Sequence, residues 1–261
     1  MTTTTPSSQP TRTDPVTPAA SSQPRVSWLT LLVEASGATV ATFIIAMIGA
    51  GRLEAFFLAM TAPIVLGLLV IGRWRRTGIV MLGVVLLAEL LASAPFLVDA
   101  LSHPETPSDF LPLTLFTVAT IIGSVAAVPA FRQTRLPATQ PSRSAMTVTV
   151  AAVVALIAAT VVSLVAAGRV DSVTAQPGDI ELTTVDFQFD TRTIATDAGT
   201  VAVTVANDDA TRHTFTIDEL GVDLNVPPGT TQRVTFPADA GTYRYYCIPH
   251  APDMAGELIV R

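Results

Sequence analysis

The sequence predicts an α-helical transmembrane bundle of about five helices followed by an all-β sandwich, and three observations carry that prediction. Of 261 residues, 49% are hydrophobic and only 14% are charged, too apolar for an ordinary soluble domain. Five apolar runs each approach the ~20 residues that a helix needs to cross the hydrocarbon core. From Asp179 onward the apolar residues alternate instead, the period of half-buried strands.

Residues 1–25 are almost entirely Thr, Ser, Pro, Gln and Ala, a composition that cannot offset chain entropy by burial, and are expected to form a disordered cytoplasmic tail. They lack the basic start, short apolar core and small-residue cleavage site of a signal peptide, so the first span is expected to act as an uncleaved anchor. The five-helix transmembrane region is expected over residues 26–168, with spans at Val26 to Ala50, Leu53 to Gly72, Gly78 to Val98, Leu111 to Phe131 and Met146 to Ala167. Trp28 and Trp74 fall near span ends, where amphipathic rings anchor at the interface.

Charge sets the expected orientation. Arg12 and Arg25 precede the first run, Arg73, Arg75 and Arg76 follow the second, and Arg132, Arg135 and Arg143 separate the fourth from the fifth. The loop after the third carries Asp99, Glu105 and Asp109 and no Arg; Arg52 and Arg169 are minor exceptions. By the positive-inside rule the N-terminus is cytoplasmic and the C-terminal part extracytoplasmic, in an integral plasma membrane protein. Residues 1–169 carry 10 Arg against 7 acids and residues 170–261 carry 5 Arg against 14 acids, as expected of two parts in different surroundings.

Two acids fall inside expected spans, Glu34 in the first and Glu89 in the third. Such residues are costly enough to be functional candidates for proton or ion handling, against the plainer reading of a protonated side chain bonded to a neighbouring helix. The spans contain no His, which argues against bis-histidine haem ligation. No feature points to nucleic acid.

A polar linker is expected at 169–178 and the sandwich at 179–261. Alternation runs through Val185, Phe187 and Phe189; Val201, Val203 and Val205; Val234 and Phe236; Tyr243, Tyr245 and Cys247; Leu258 and Val260. Broken by turns such as "NDDAT", "VPPGT" and "PADAG", it predicts seven or eight short antiparallel strands.

The only Cys of the chain and two of its three His fall in this part. Cys247, His250 and Met254 lie within one short loop, and His213 begins an earlier strand. A thiolate, two imidazoles and a thioether form the donor set of a type 1 (blue) copper site, a trigonal arrangement of two His and one Cys with a weak axial Met. Singly, each residue has a plainer reading as packing; jointly, they point to copper. One Cys excludes a binuclear centre with two bridging thiolates, and three His exclude a trinuclear oxidase cluster. A thioether is a poor fourth ligand for structural zinc. His103, in the loop after the third span, has no Cys, His or Met beside it and is expected to be solvated.

The segments "VDFQFD", "AGTVAVTVANDD", "RHTF" and "VPPGTTQRVTFPADAGTYRYYCIPHAPDMAGELIV" resemble the cupredoxins, similar to plastocyanin and amicyanin, over about residues 178–261. The resemblance implies a Greek-key sandwich with His213, Cys247, His250 and Met254 as copper ligands. Many members have Asn after the first His, steadying the thiolate and the strand pair; here Thr214 stands there and is expected to replace it in part. The spacing from His250 to Met254 is intermediate between the amicyanin and plastocyanin loops, which bears on potential and not on ligand identity. The helical part resembles no family.

The function this implies is that of a membrane-anchored electron carrier, not an enzyme. It would pass single electrons between extracytoplasmic or membrane redox partners, such as a cytochrome or terminal oxidase, with His250 and the apolar Ile248, Pro249, Ala251 and Pro252 as the exit. Copper capture or delivery to a membrane oxidase is the alternative from a different class. A third reading is a transporter or channel with a copper-sensing domain, in which Glu34 and Glu89 would matter.

Overall fold

The computed structural model describes residues 26–49, 55–135 and 141–261. The expected tail at 1–25, with Arg12 and Arg25, and also Arg52, lies outside the described residues. Among the described residues, six α-helices precede the strands: α1 (Trp28–Gly49), α2 (Ala55–Arg73), α3 (Arg75–Ala92), α4 (Ala94–Leu101), α5 (Pro107–Arg132) and α6 (Arg143–Ala167).

Six helices replace the expected five because the third apolar run breaks. Ser93 closes α3, and Pro95 stands in the first turn of α4, where its missing N–H leaves no bond unmade. The two pieces meet at 60°. Pro63 and Pro129, by contrast, lie inside α2 and α5, which continue through them. Four helices are each long and apolar enough to cross a membrane, and the bent pair α3 and α4 would make a fifth.

Helix α5 is the hub, packing against α1, α3, α4 and α6. Small residues let α3 approach it closely: a Cβ on Gly123 would lie 2.4 Å from Leu86 Cδ1, and one on Gly83 would lie 2.6 Å from the Ala127 methyl. Helix α6 buries little, only Ala145 and Ser163. Its Val154, Ile157 and Leu164 stay exposed, an apolar surface suited to lipid.

The strands are β1 (Ile180–Val185), β2 (Gln188–Phe189), β3 (Thr193–Thr196), β4 (Gly199–Asn207), β5 (His213–Ile217), β6 (Val222–Val226), β7 (Thr231–Ala238), β8 (Gly241–Tyr246) and β9 (Ala255–Val260). They form two sheets, ordered β2-β1-β4-β7 and β3-β9-β8-β5-β6. The expected all-antiparallel series is corrected at two places: β1 runs parallel to β4, and β3 parallel to β9. Alternation reports which face is buried, not which way the neighbouring strand runs, so it could not show this.

Leu182, Val203, Val205, Phe215, Ile217, Tyr245 and Leu258 fill the space between the sheets, each at most 2% exposed. Tyr245 lies across its cross-strand partner Gly256, where a Cβ would stand 2.3 Å from the ring, and its hydroxyl donates to the Thr191 carbonyl. Only glycine admits that close approach. The run Val185, Phe187, Phe189 is not one strand: Asp186 and Phe187 form a turn at φ 54° and 60° between β1 and β2.

Asp179 ties the start of β1 to the rest of its sheet. It accepts from Arg233 Nε at 2.8 Å and Nη2 at 2.9 Å, from Thr204 Oγ1 at 2.7 Å and from the Gln176 N–H at 2.9 Å. The Arg233 pair, more than any other contact, holds its carboxyl well below the ordinary 3.8. A carboxyl depressed on folding contributes stability at neutral pH that is lost as pH falls below that ordinary value. Asp179→Asn is therefore expected to lower the melting temperature at pH 7, with the gap to wild type narrowing below about pH 4, as followed by circular dichroism across pH.

Candidate metal centre

The start of β5 and the connection from β8 to β9 meet at one end of the sandwich and bring the candidate donor atoms together. His213 opens β5 and Cys247 follows β8, both with 0% exposure. His250 ends a 3-10 turn, Ile248–His250, and is half-buried. The Nδ1 atoms of His213 and His250 lie 3.5 and 3.4 Å from Cys247 Sγ, and the three donor atoms lie within 4.8 Å of one another. Donors about 2.0–2.3 Å from a shared ion, at angles between tetrahedral and trigonal, stand ~3.5 Å apart. The soft, buried set of two nitrogens and one sulfur therefore fits a copper ion. Met254 is 1% exposed and packs in the same core as Cys247; its carbonyl accepts from the Cys247 N–H at 3.0 Å and closes the loop.

The expected part played by Thr214 has a definite geometry. Its N–H points at Cys247 Sγ from 3.3 Å, and its Oγ1 accepts from the Ile248 N–H at 2.8 Å. One residue thus meets the sulfur and pins the ligand loop to β5. Burial pushes the Cys247 thiol up, and this N–H partly offsets the shift.

The turn "NDDAT" proves to be scaffold. Asn207, 1% exposed, accepts from Thr184 Oγ1 and from the Asp209 N–H, both at 3.0 Å, and donates to the Thr211 and Val226 carbonyls at 2.8 and 2.9 Å. Asp209 then makes three bonds. It accepts from His213 Nε2 at 2.8 Å, and from the N–H groups of Asp186 and Phe187 at 2.9 and 3.1 Å. An ionised carboxylate accepts only, so it fixes the proton of His213 on Nε2 and frees Nδ1 to bind a metal. The same carboxylate holds the left-handed turn that puts the Phe187 ring 5.0 Å from that of His250. Burial lowers the His213 imidazole, and Asp209 partly opposes this. His250 is lowered to about 4, first by burial and then by His213; both rings are neutral, metal-ready donors at neutral pH.

Other sequence candidates lie apart from this centre. Glu34 is exposed on α1; Glu89 is 5% exposed on α3, and its carboxyl oxygens have no hydrogen-bond partner among the described residues. His103 is not simply solvated: its Nδ1 lies 2.9 Å from Glu105 Oε1. Asn207, Asp209 and Phe187 were missed by sequence reasoning. Asp209 stands four residues before His213, but among the acids of that stretch nothing in the sequence singles it out.

Residues 149–260 match the family model of the cupredoxin-like domain. The C-terminal part of the chain is a cupredoxin-like domain, joined to a helical N-terminal region. Solved structures are similar to part of the chain at low identity. An oxidised amicyanin variant is 23% identical, covering 34% of this chain and 89% of its own, with a TM-score of 0.29. The metal-binding domain of the Cu(I)-exporting P-type ATPase of Streptococcus pneumoniae is 15% identical, covering 34% and 91%, with a TM-score of 0.29. A chain of a haem-copper terminal oxidase dimer is 20% identical, covering 46% and 100%, with a TM-score of 0.29. No curated protein matches the chain.

If Asp209 orients His213, Asp209→Ala is expected to weaken Cu(II) binding about 10- to 100-fold, read by competition with a chelator of known affinity. Asp208→Ala, on the same turn and exposed, is expected to leave it within about twofold, since the ligand-orienting bonds are untouched.

Proposed function

We propose that this protein is a membrane-anchored type 1 copper protein that passes single electrons between redox partners at the outer face of the membrane. The observation that carries the reading is the convergence of His213 Nδ1, His250 Nδ1 and Cys247 Sγ in one buried pocket whose supporting bonds are already made. His213, Cys247 and His250 would hold the ion, with Met254 as the weak axial donor. A copper ion bound there supplies one-electron exchange between Cu(II) and Cu(I).

The chain's own residues supply everything else. The imidazoles are neutral, so neither needs to lose a proton; the raised Cys247 thiol must lose one, making uptake pH-dependent. Asp209 and Thr214 fix the ring and the sulfur from outside the donor set, so little has to move when the charge on the centre changes. Phe187 stands against His250 with Ile248, and both are exposed, at 41% and 45%. With Pro249, Ala251 and Pro252 they make a small apolar surface at the histidine edge, suited to a brief encounter. By the Arg distribution the N-terminus is cytoplasmic and the domain at about 179–261 is extracytoplasmic; a cytochrome or terminal oxidase is the fitting class of partner.

The deciding measurement is the visible and electron paramagnetic resonance spectrum of the whole chain in detergent after addition of Cu(II). Wild type is expected to show an intense thiolate-to-copper band with narrow copper hyperfine splitting, and Cys247→Ser neither. Ordinary tetragonal copper signals in the wild type would overturn electron transfer and favour copper capture or delivery.

A further inference from the structure

The end of α4, the loop after it and the first turn of α5 carry one acid each, Asp99, Glu105 and Asp109, and each reaches the sandwich. Asp99 pairs with the Arg212 guanidinium, Asp109 Oδ2 accepts from the Arg212 N–H at 3.0 Å, and Glu105 Oε1 accepts from Asn225 Nδ2 at 2.9 Å. Arg212 is only 4% exposed, a burial that an unpaired guanidinium would not tolerate. Its Nη1 donates to Asn225 Oδ1 at 3.3 Å, so the two sandwich residues brace one another. Glu105 is braced in turn by His103 Nδ1.

A second attachment is independent of the first. Just after α6, Ser172 Oγ accepts from the Thr231 N–H at 2.8 Å, the Val173 N–H donates to the Thr231 carbonyl at 2.9 Å, and Gln232 Nε2 donates to the Asp171 carbonyl at 2.9 Å. The connection leaving α6 is therefore laid against β7 and not a slack tether. Between the two attachments lies an open cleft of about 350 Å³, lined by Glu105, Pro107, Val170, Pro227 and Pro228 among others. Among the described residues, polar bonds hold the two parts together, and their apolar clusters are separate.

We propose that the end of α4, the α4–α5 loop and the first turn of α5 together form an intramolecular docking seat, which holds the sandwich by Arg212 and Asn225 with its metal-centre end turned toward the helical region. Arg212 directly precedes His213, so the seat grips the end that carries the donor atoms. On the electron-transfer reading, a partner reaching His250 must then come alongside the helices, as another integral membrane protein does. The seat itself does not depend on that reading.

Hydrogen exchange of the full chain in lipid nanodiscs, followed by mass spectrometry, tests it. In Asp99→Asn with Glu105→Gln, exchange in segments 99–109 and 208–213 is expected to rise about tenfold while β4 and β8 stay protected. Asp99→Arg is expected to do the same, and Asp99→Arg with Arg212→Asp to restore protection. Unchanged exchange at 208–213 in both loop variants overturns the seat, whether or not the charge swap folds. A rise that includes β4 and β8 also overturns it, because it reports general unfolding. The loop variants leave every proposed copper ligand in place, so their copper spectrum judges the metal reading separately.

Discussion

A sulfur with no exposed surface loses the water that would solvate its anion, so the thiolate a metal needs must be supported by whatever packs around Cys247. That requirement orders the rest of the strand-rich part. The Thr214 N–H meets the sulfur only because β5 runs beside the end of β8. His213 can aim Nδ1 at the same point only because Asp209 holds Nε2 from behind. Asp209 keeps its place because buried Asn207 fixes the turn through four bonds, and the Asp186 and Phe187 N–H groups close the other side. Removing Asp209 would leave the buried His213 Nε2–H unpaired, so this network is costly to disturb.

The donor residues were legible in the sequence because they are rare: with one Cys and three His among 261 residues, their spacing stands out against anything that packing alone requires. Their supports were not. Asp209 and Asn207 sit in a stretch whose composition says only "turn", and their partners Thr184, Asp186 and Phe187 are 22 or 23 residues away. Nothing local marks one Asp among several as the one that faces an imidazole. Phe187 looked like part of an alternating strand, yet the pull of Asp209 on two successive N–H groups turns the backbone into the left-handed region at that point.

The helical part shows the same division. Hydropathy sees lengths, and it located the apolar runs; it does not see where a chain bends. Pro95 was visible, but so were Pro63 and Pro129, which leave their helices unbroken. The difference is position: Pro95 follows Ser93 within a run where a new helix can start at Ala94, so the missing N–H falls on a first-turn residue that has no intrahelical acceptor in any case.

Charge links the two parts. Asp99, Glu105 and Asp109 were informative at first only because no Arg accompanied them, the pattern the positive-inside rule expects of an extracytoplasmic segment. A segment carrying those acids faces a part of the chain, residues 170–261, in which acids outnumber Arg by 14 to 5, and such surfaces repel when brought together. Contact is therefore favourable only where the domain presents its scarce positive charge and its hydrogen-bond donors. Arg212 and Asn225 are what it presents there, and Arg212 is buried by doing so. Because Arg212 adjoins His213, the charge arrangement that makes docking possible also selects which end of the sandwich docks.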